Sequence, residues 1–124
     1  MIFDETRKQW LVLSPEEWVR QNFIQYLLKE KGYPASLLAI EKEIRVGELR
    51  KRCDVVVFKN AVPWMIVECK EMNVPLAEST IKQVLNYNTR LQVQYIVITN
   101  GLTTYAAEIA DGKAEWLTTI PAYF

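Results

Sequence analysis

Histidine is absent from all 124 residues, which removes Ser-His-Asp and Cys-His catalysis, His-ligated zinc and imidazole general bases together. Carboxylates, lysines, tyrosines and oxygen-preferring metals remain as the means of chemistry. Cysteine is scarce. Cys53 and Cys69 allow at most one disulfide, and both lie in apolar strand-like runs, where Cys ordinarily serves as a small buried hydrophobe; a reducing compartment is expected. No apolar run approaches the roughly 18 to 20 residues of a membrane span. Met1-Ile2-Phe3-Asp4-Glu5 lacks the basic-then-apolar layout of a secretion signal, so no membrane partner and a cytoplasmic location are expected. Four glycines and five prolines in a chain that is half apolar exclude a collagen-like or disordered reading, and the length points to one domain over residues 1–124.

An excess of either charge is also missing: 15 basic residues balance 15 acidic ones, so no global field argues for nucleic acid. The distribution says slightly more. Residues 1–62 hold 11 basic and 9 acidic side chains against 4 and 6 in the remainder, with the sharpest basic cluster at Arg45, Arg50, Lys51 and Arg52. That cluster reads either as a solvated hairpin tip or as a phosphate grip.

Ser14 as N-cap, Pro15 at the first helical position and Glu17 at capping-box spacing start a helix expected to run from Pro15 to Lys31, stopped by Gly32 and Pro34. Its apolar positions are Trp18, Val19, Phe23, Tyr26, Leu27 and partly Leu28. Three strands follow: Leu37 to Val46, with Leu38, Ile40 and Ile44 in period two; Arg50 to Phe58; and Trp64 to Lys70, read together as an antiparallel meander. Pro75 precedes a second helix, about Leu76 to Arg90, with Ile81, Val84, Leu85 and Asn88 along one flank. The apolar run Val93 to Thr99 completes a strand-helix-strand crossover and so should lie parallel to the third strand. Thr103 to Ala107 and Ala114 to Leu117, joined by a turn at Asp111-Gly112, are weaker strands. The order is α-β-β-β-α-β with trailing β.

The third strand carries two charges where both faces are otherwise apolar. Glu68 and Lys70 share an alternation with Trp64 and Ile66, and on the second strand Asp54 alternates with Val56 and Phe58. Such positions exclude charge unless it is paired or binds something. Folding the hairpin about Ala61 sets Phe58 opposite Trp64, Val56 opposite Ile66 and Asp54 opposite Glu68. Two carboxylates brought together at low dielectric repel unless a cation lies between them. Hard oxygen ligands point to Mg²⁺ or Mn²⁺, with the Cys69 backbone carbonyl as a further ligand. Lys70 reaches the space beside the ion, and the trio Asp54, Glu68 and Lys70 suits phosphodiester hydrolysis. The competing readings are a cross-strand ion triad, costly to desolvate, and a non-cleaving module that binds DNA or protein.

Asp54, then Glu68-Cys69-Lys70, with Gln83 and Tyr87 spaced as Gln-x-x-x-Tyr, resembles the PD-(D/E)XK nuclease superfamily, and in particular the type I restriction enzyme R protein N-terminal domain. Leu13-Ser14-Pro15-Glu16-Glu17 through Tyr33-Pro34 and Arg50-Lys51-Arg52-Cys53-Asp54 resemble it too, so the likeness covers about residues 14–100. The resemblance implies an α/β fold with a restriction-endonuclease-like αβββαβ core, its mixed central sheet flanked by helices. It implies a Mg²⁺-dependent DNA endonuclease, with Asp54 and Glu68 as ligands and Lys70 as the catalytic lysine. An acidic residue on the first helix often joins that metal site, and Glu17 matches it best, although its role as partner of Ser14 competes. The resemblance favours Gln83 as an active-site contact to DNA and leaves Tyr87 between DNA contact and packing. Arg50, Lys51 and Arg52 are placed to grip phosphates. Cys53 stands where the family usually has Pro. A helicase-like motor does not fit in 124 residues, so a homodimer or a partner chain supplying motor or specificity is expected.

Overall fold

The computed structural model describes residues 2–4, 6–11 and 14–123; Met1, Glu5 and Leu13, quoted above, lie outside them. A short antiparallel hairpin, β1 (Ile2–Asp4) and β2 (Gln9–Leu11), precedes helix α1 (Pro15–Gln25). Three strands follow, β3 (Leu38–Val46), β4 (Leu49–Lys59) and β5 (Val62–Cys69), then helix α2 (Glu78–Asn88), strand β6 (Tyr95–Thr99), and the closing strands β7 (Thr104–Ala110) and β8 (Lys113–Leu117). From α1 to β6 the order is the expected α-β-β-β-α-β. β3 to β8 form a six-stranded sheet in sequence order. It is mixed, because β5 and β6 run parallel while the other neighbours are antiparallel. The β1–β2 hairpin was not foreseen from the sequence.

Ser14 caps α1, its Oγ accepting from the Glu17 N–H at 3.1 Å, with Pro15 in the first turn. The last expected turns continue as a π-type turn, Tyr26–Glu30, and Gly32, at φ +68°, ends the segment. Val19, Phe23, Ile24 and Leu27 pack on one face of the sheet with Val55, Val57, Met65, Val67 and Val97. Trp18 and Tyr26, expected inside, are exposed. On the other face α2 lays Ile81 and Leu85 on Val56, Ile66, Ile96 and Ile98, the flank that the periodicity indicated.

The β4–β5 hairpin turns on Asn60 and Ala61, both at positive φ (54° and 65°), the geometry of a two-residue turn matched to strand twist. Phe58 therefore pairs with Pro63, whereas Val56 pairs with Ile66 as expected, and the register shifts between Val57 and Phe58. β5 carries the extra residue, Trp64, which joins Met65 in the α1-side core. This corrects the expectation that Trp64 shares a face with Ile66 and opposes Phe58. A tight turn fixes one register and the core another, and a bulge absorbs the difference.

Ala61 bears a side chain where the equivalent β7–β8 turn, Asp111-Gly112, uses glycine at φ 73°. Ala61→Gly should therefore raise unfolding stability in urea by about 0.5–1 kcal/mol; an unchanged or lower midpoint would remove strain from this turn.

Candidate functional site

The site begins where β4 and β5 part. Their ladder runs Val57–Met65, Val56–Ile66, Val55–Val67 and then stops, one step short of the place where Asp54 would stand opposite Glu68. The Lys70 N–H bonds to Thr99 O on β6 at 2.8 Å. The preceding amide, that of Cys69, donates instead to Asp54 Oδ2 at 2.8 Å. A carboxylate thus takes the place of a backbone carbonyl, and the two strands open into a fork around it. β3 responds on its own side: Glu41 adopts φ +51°, and the pairs flanking it are Ile40–Val55 and Lys42–Cys53.

The faces exchange at this point. Leu38, Ile40 and Val55 belong to the α1-side core, whereas Ile44 and Cys53 belong to the α2-side core. The expected period two through Leu38, Ile40 and Ile44 is therefore broken at Glu41. Asp54 does not meet Glu68 on one face either: its carboxylate turns into the fork toward α1, while Glu68 lines a cavity beside α2. The two acids reach the fork from different sides.

On the α1 side Arg20 is the hub. Its Nη2 lies 2.8 Å from Asp54 Oδ1, 3.2 Å from Glu16 and 3.7 Å from Glu41, and its Nη1 pairs with Glu17. Burial works against the guanidinium charge, but Asp54 and Glu41 outweigh it and hold Arg20 more firmly protonated. Glu17 is buried, its carboxylate shared among Arg20, Arg7 and Gln21. Arg7 comes from the turn of the β1–β2 hairpin and also pairs with Asp4 and, at 3.4 Å, with Glu41. Burial alone would push the Asp4 carboxyl up; hydrogen bonds from Arg7 and Gln21 hold it below its ordinary value. Glu16, not Glu17, lies against Asp54. Burial and the Asp54 carboxylate raise the Glu16 carboxyl above its usual range, with Arg20 and Lys70 opposing.

On the α2 side, Lys51, Glu68, Lys70, Gln83, Val84, Tyr87 and Asn88 line a shallow cavity of about 170 Å³. This brings together the β5 pair Glu68 and Lys70 with Gln83 and Tyr87 of α2. Burial raises the Glu68 carboxyl, the Asp54 charge adds to the push, and Lys51 and Lys70 oppose it. Lys51 Nζ stands 3.1 Å from Glu68 Oε1, yet that oxygen lacks a hydrogen bond of proper geometry. Both amide atoms of fully buried Asn88 are likewise without a partner among the described residues. Tyr87 Oη donates to the Arg50 carbonyl at 3.2 Å, pinning α2 to β4. Of the basic cluster, Arg45, Arg50 and Arg52 are exposed while Lys51 turns inward.

Glu16, Arg20 and Lys51 as a partner of Glu68 are the members of this constellation that the pattern did not single out, and Asn88 was placed only on the buried flank of α2. Only the spacing of Glu16 and Arg20, one helical turn apart, carried a signal. Among the described residues no group of three His, Cys, Asp or Glu side chains converges as a ready-made metal cluster. Asp54, Glu68 and the Cys69 carbonyl are the oxygen donors here that could hold a hard divalent cation, with Glu68 Oε1 engaged by the Lys51 ammonium. Cys53 and Cys69 are buried free thiols. Burial pushes Cys53 up to about 12 and Cys69 higher still, so neither is a nucleophile at neutral pH.

A mixed α/β domain with acidic and basic side chains gathered at an opened strand pair is the class that fold and site define. The family model for the type I restriction enzyme R protein N terminus matches residues 15–121, and the chain belongs to that family. No curated protein matches it. No helix among the described residues is long and apolar enough to cross a membrane.

The raised Glu68 carboxyl has a thermodynamic consequence. Between the ordinary Glu value of 4.5 and its higher folded value, the native protein keeps a proton that the unfolded chain has released, so stability falls as pH rises through that interval. Glu68→Gln cannot titrate. In chelator its melting temperature should gain on the wild type between pH 4.5 and 8; a difference that stays flat with pH would contradict the assigned cause.

Proposed function

We propose that this chain is a metal-dependent DNA endonuclease domain with a restriction-endonuclease-like core, hydrolysing phosphodiester bonds in the cytoplasm. The single observation that carries this reading is the fork: Asp54 and Glu68 approach it from either side of the Cys69 peptide, with Lys70 directly after. Asp54, Glu68, the Cys69 carbonyl and, from α1, Glu16 would hold Mg²⁺ or Mn²⁺. Glu16 replaces Glu17 in this role because the Glu17 carboxylate is consumed by Arg7, Arg20 and Gln21. When bound, the ion supplies charge neutralisation at the scissile phosphate and acidifies a water molecule.

The chain's own residues do the rest. Lys70 donates a hydrogen bond to a non-bridging phosphate oxygen, where negative charge grows as the water oxygen bonds to phosphorus and the bond to the leaving oxygen breaks. The water gives up its proton to solvent, and the leaving oxygen takes one from solvent. Gln83 faces the same cavity and contacts the DNA beside the cleaved bond. Tyr87 keeps α2 in place through Arg50 and borders the DNA path. Arg50 and Arg52 supply exposed phosphate contacts, which carry affinity without sequence readout. Arg20 is a positioning residue that holds Asp54 Oδ1. Family membership supports DNA as the partner and a further chain, or a second copy, as the source of motor or specificity.

One observation favours a second reading, a non-cleaving module of the same fold. Asp54 and Glu68 each already hold a protein cation, Arg20 and Lys51.

Nicking of supercoiled plasmid with Mg²⁺ or Mn²⁺ separates the two. The wild type should nick, and Asp54→Ala and Lys70→Ala should each lose at least about 100-fold while melting cooperatively. Glu16→Gln should lower the rate at near-wild-type melting temperature, whereas Glu17→Gln should lower the melting temperature itself. Plasmid left intact by folded wild type would favour the binding module, and plasmid cut equally by Lys70→Ala would remove Lys70 from the chemistry.

A further inference from the structure

Lys51 differs from every other member of the basic cluster in pointing inward, and from Arg20 in how it is held. The Arg20 side chain is 7 % exposed and engages Glu16, Glu17, Glu41 and Asp54, so it cannot leave Asp54 without orphaning several charges. The Lys51 side chain is 29 % exposed and, among the described residues, its ion-pair partner is Glu68. Its ammonium sits on a flexible four-carbon stem, and the contact at 3.1 Å leaves Glu68 Oε1 without a well-formed hydrogen bond. Separation alone would leave buried Glu68 without a counter-charge, so Lys51 can leave only where another cation takes its place. The Tyr87 ring, 5.9 Å from Nζ, offers the ammonium a second attraction close by. Lys51 shares the cavity wall with Lys70 and Gln83, a polar lining that suits a polar occupant.

We propose that Lys51 is the exchangeable counter-ion of Glu68: it neutralises that carboxylate while no divalent cation is bound, is displaced when one binds, and then presents its ammonium to a substrate phosphate. This rests on the metal-site reading above. The exchange links two binding events. A cation arriving at Glu68 sets free a positive charge in the cavity, and a phosphate arriving there gives that charge a new partner, so each favours the other.

Amine acylation followed by mass spectrometry reads the exchange directly on the full chain, with Lys82, which is exposed beside Glu78, as internal reference. Relative to Lys82, Lys51 should acylate several-fold faster in Mn²⁺ than in chelator, and slow again when a short phosphorothioate duplex is added to the Mn²⁺ sample. By calorimetry Lys51→Gln should bind Mn²⁺ about tenfold more tightly than the wild type, equivalent to about 1.4 kcal/mol, and should lose the increase in Mn²⁺ affinity that the duplex brings to the wild type. If the wild type binds Mn²⁺ while Lys51 acylation stays unchanged, Lys51 remains on Glu68 and the exchange is wrong although the metal site stands. If neither wild type nor Lys51→Gln binds Mn²⁺, the metal site itself is wrong and the exchange goes with it.

Discussion

One hydrogen bond organises this domain: the Cys69 N–H donating to the Asp54 carboxylate. A buried amide in a central strand must find an acceptor, and in an unbroken ladder it would be a carbonyl of β4. Using a carboxylate instead ends the ladder at Val55–Val67 and brings a negative charge between two strands of an apolar sheet. Burial of that charge is tolerable only with a fixed positive partner, which Arg20 provides. Arg20 in turn lies among Glu16, Glu17 and Glu41, and Arg7 joins Glu17, Glu41 and Asp4. The docking of the β1–β2 hairpin against α1 is thus the outer end of a chain of ion pairs that starts at one missing rung.

The two sides of the fork solve the same electrostatic problem differently. Toward α1 the counter-charge is a guanidinium, planar and with several donors, locked into a network whose members share one another's cost. Toward α2 it is an ammonium with one ion-pair partner among the described residues and a view of solvent. A network of the first kind gives geometry, since moving any member leaves others unpaired. A pair of the second kind gives a site that can change occupant. Having both at one fork lets Asp54 stay fixed while the neighbourhood of Glu68 remains open to exchange.

The regular parts of the fold were legible because each is written locally. Ser14-Pro15 starts α1, Gly32 ends its segment, and the run from Leu38 to Cys69 alternates well enough to name three strands. The α2 flank of Ile81, Leu85 and Asn88 also follows helical spacing. What escaped were the places where local rules yield to tertiary ones. Period two cannot announce that Trp64 is an extra residue, because the bulge exists to reconcile the Asn60-Ala61 turn with the core register. Nor can it announce the exchange of faces at Glu41 and Asp54, which follows from the fork. For the candidate site, the sequence pattern indicated the neighbourhood of Asp54, Glu68 and Lys70, and their charge partners were not legible. Arg20 looks like an ordinary polar helix position, and Lys51 like one more residue of a solvated tip. Such departures from local consistency concentrate where a fold carries function.

The choice between Glu16 and Glu17 shows how far such partners reach. On the helix alone Glu17 has the better claim to the fork, since it is the more buried of the two and belongs to the cap of α1. The residue that settles its carboxylate elsewhere, Arg7, comes from the β1–β2 hairpin, which precedes the segment matching the family, residues 15–121. Arg7 bonds Glu17 and Asp4 at once, and Gln21 bonds the same two acids from the helix side. Glu17 therefore bridges hairpin to helix, and Glu16, one residue earlier and exposed, is left as the acid that meets Asp54. A segment outside the family match thus decides which of two adjacent carboxylates stands at the fork. In this chain the hairpin is part of the site's electrostatics although it contributes no residue to the fork itself.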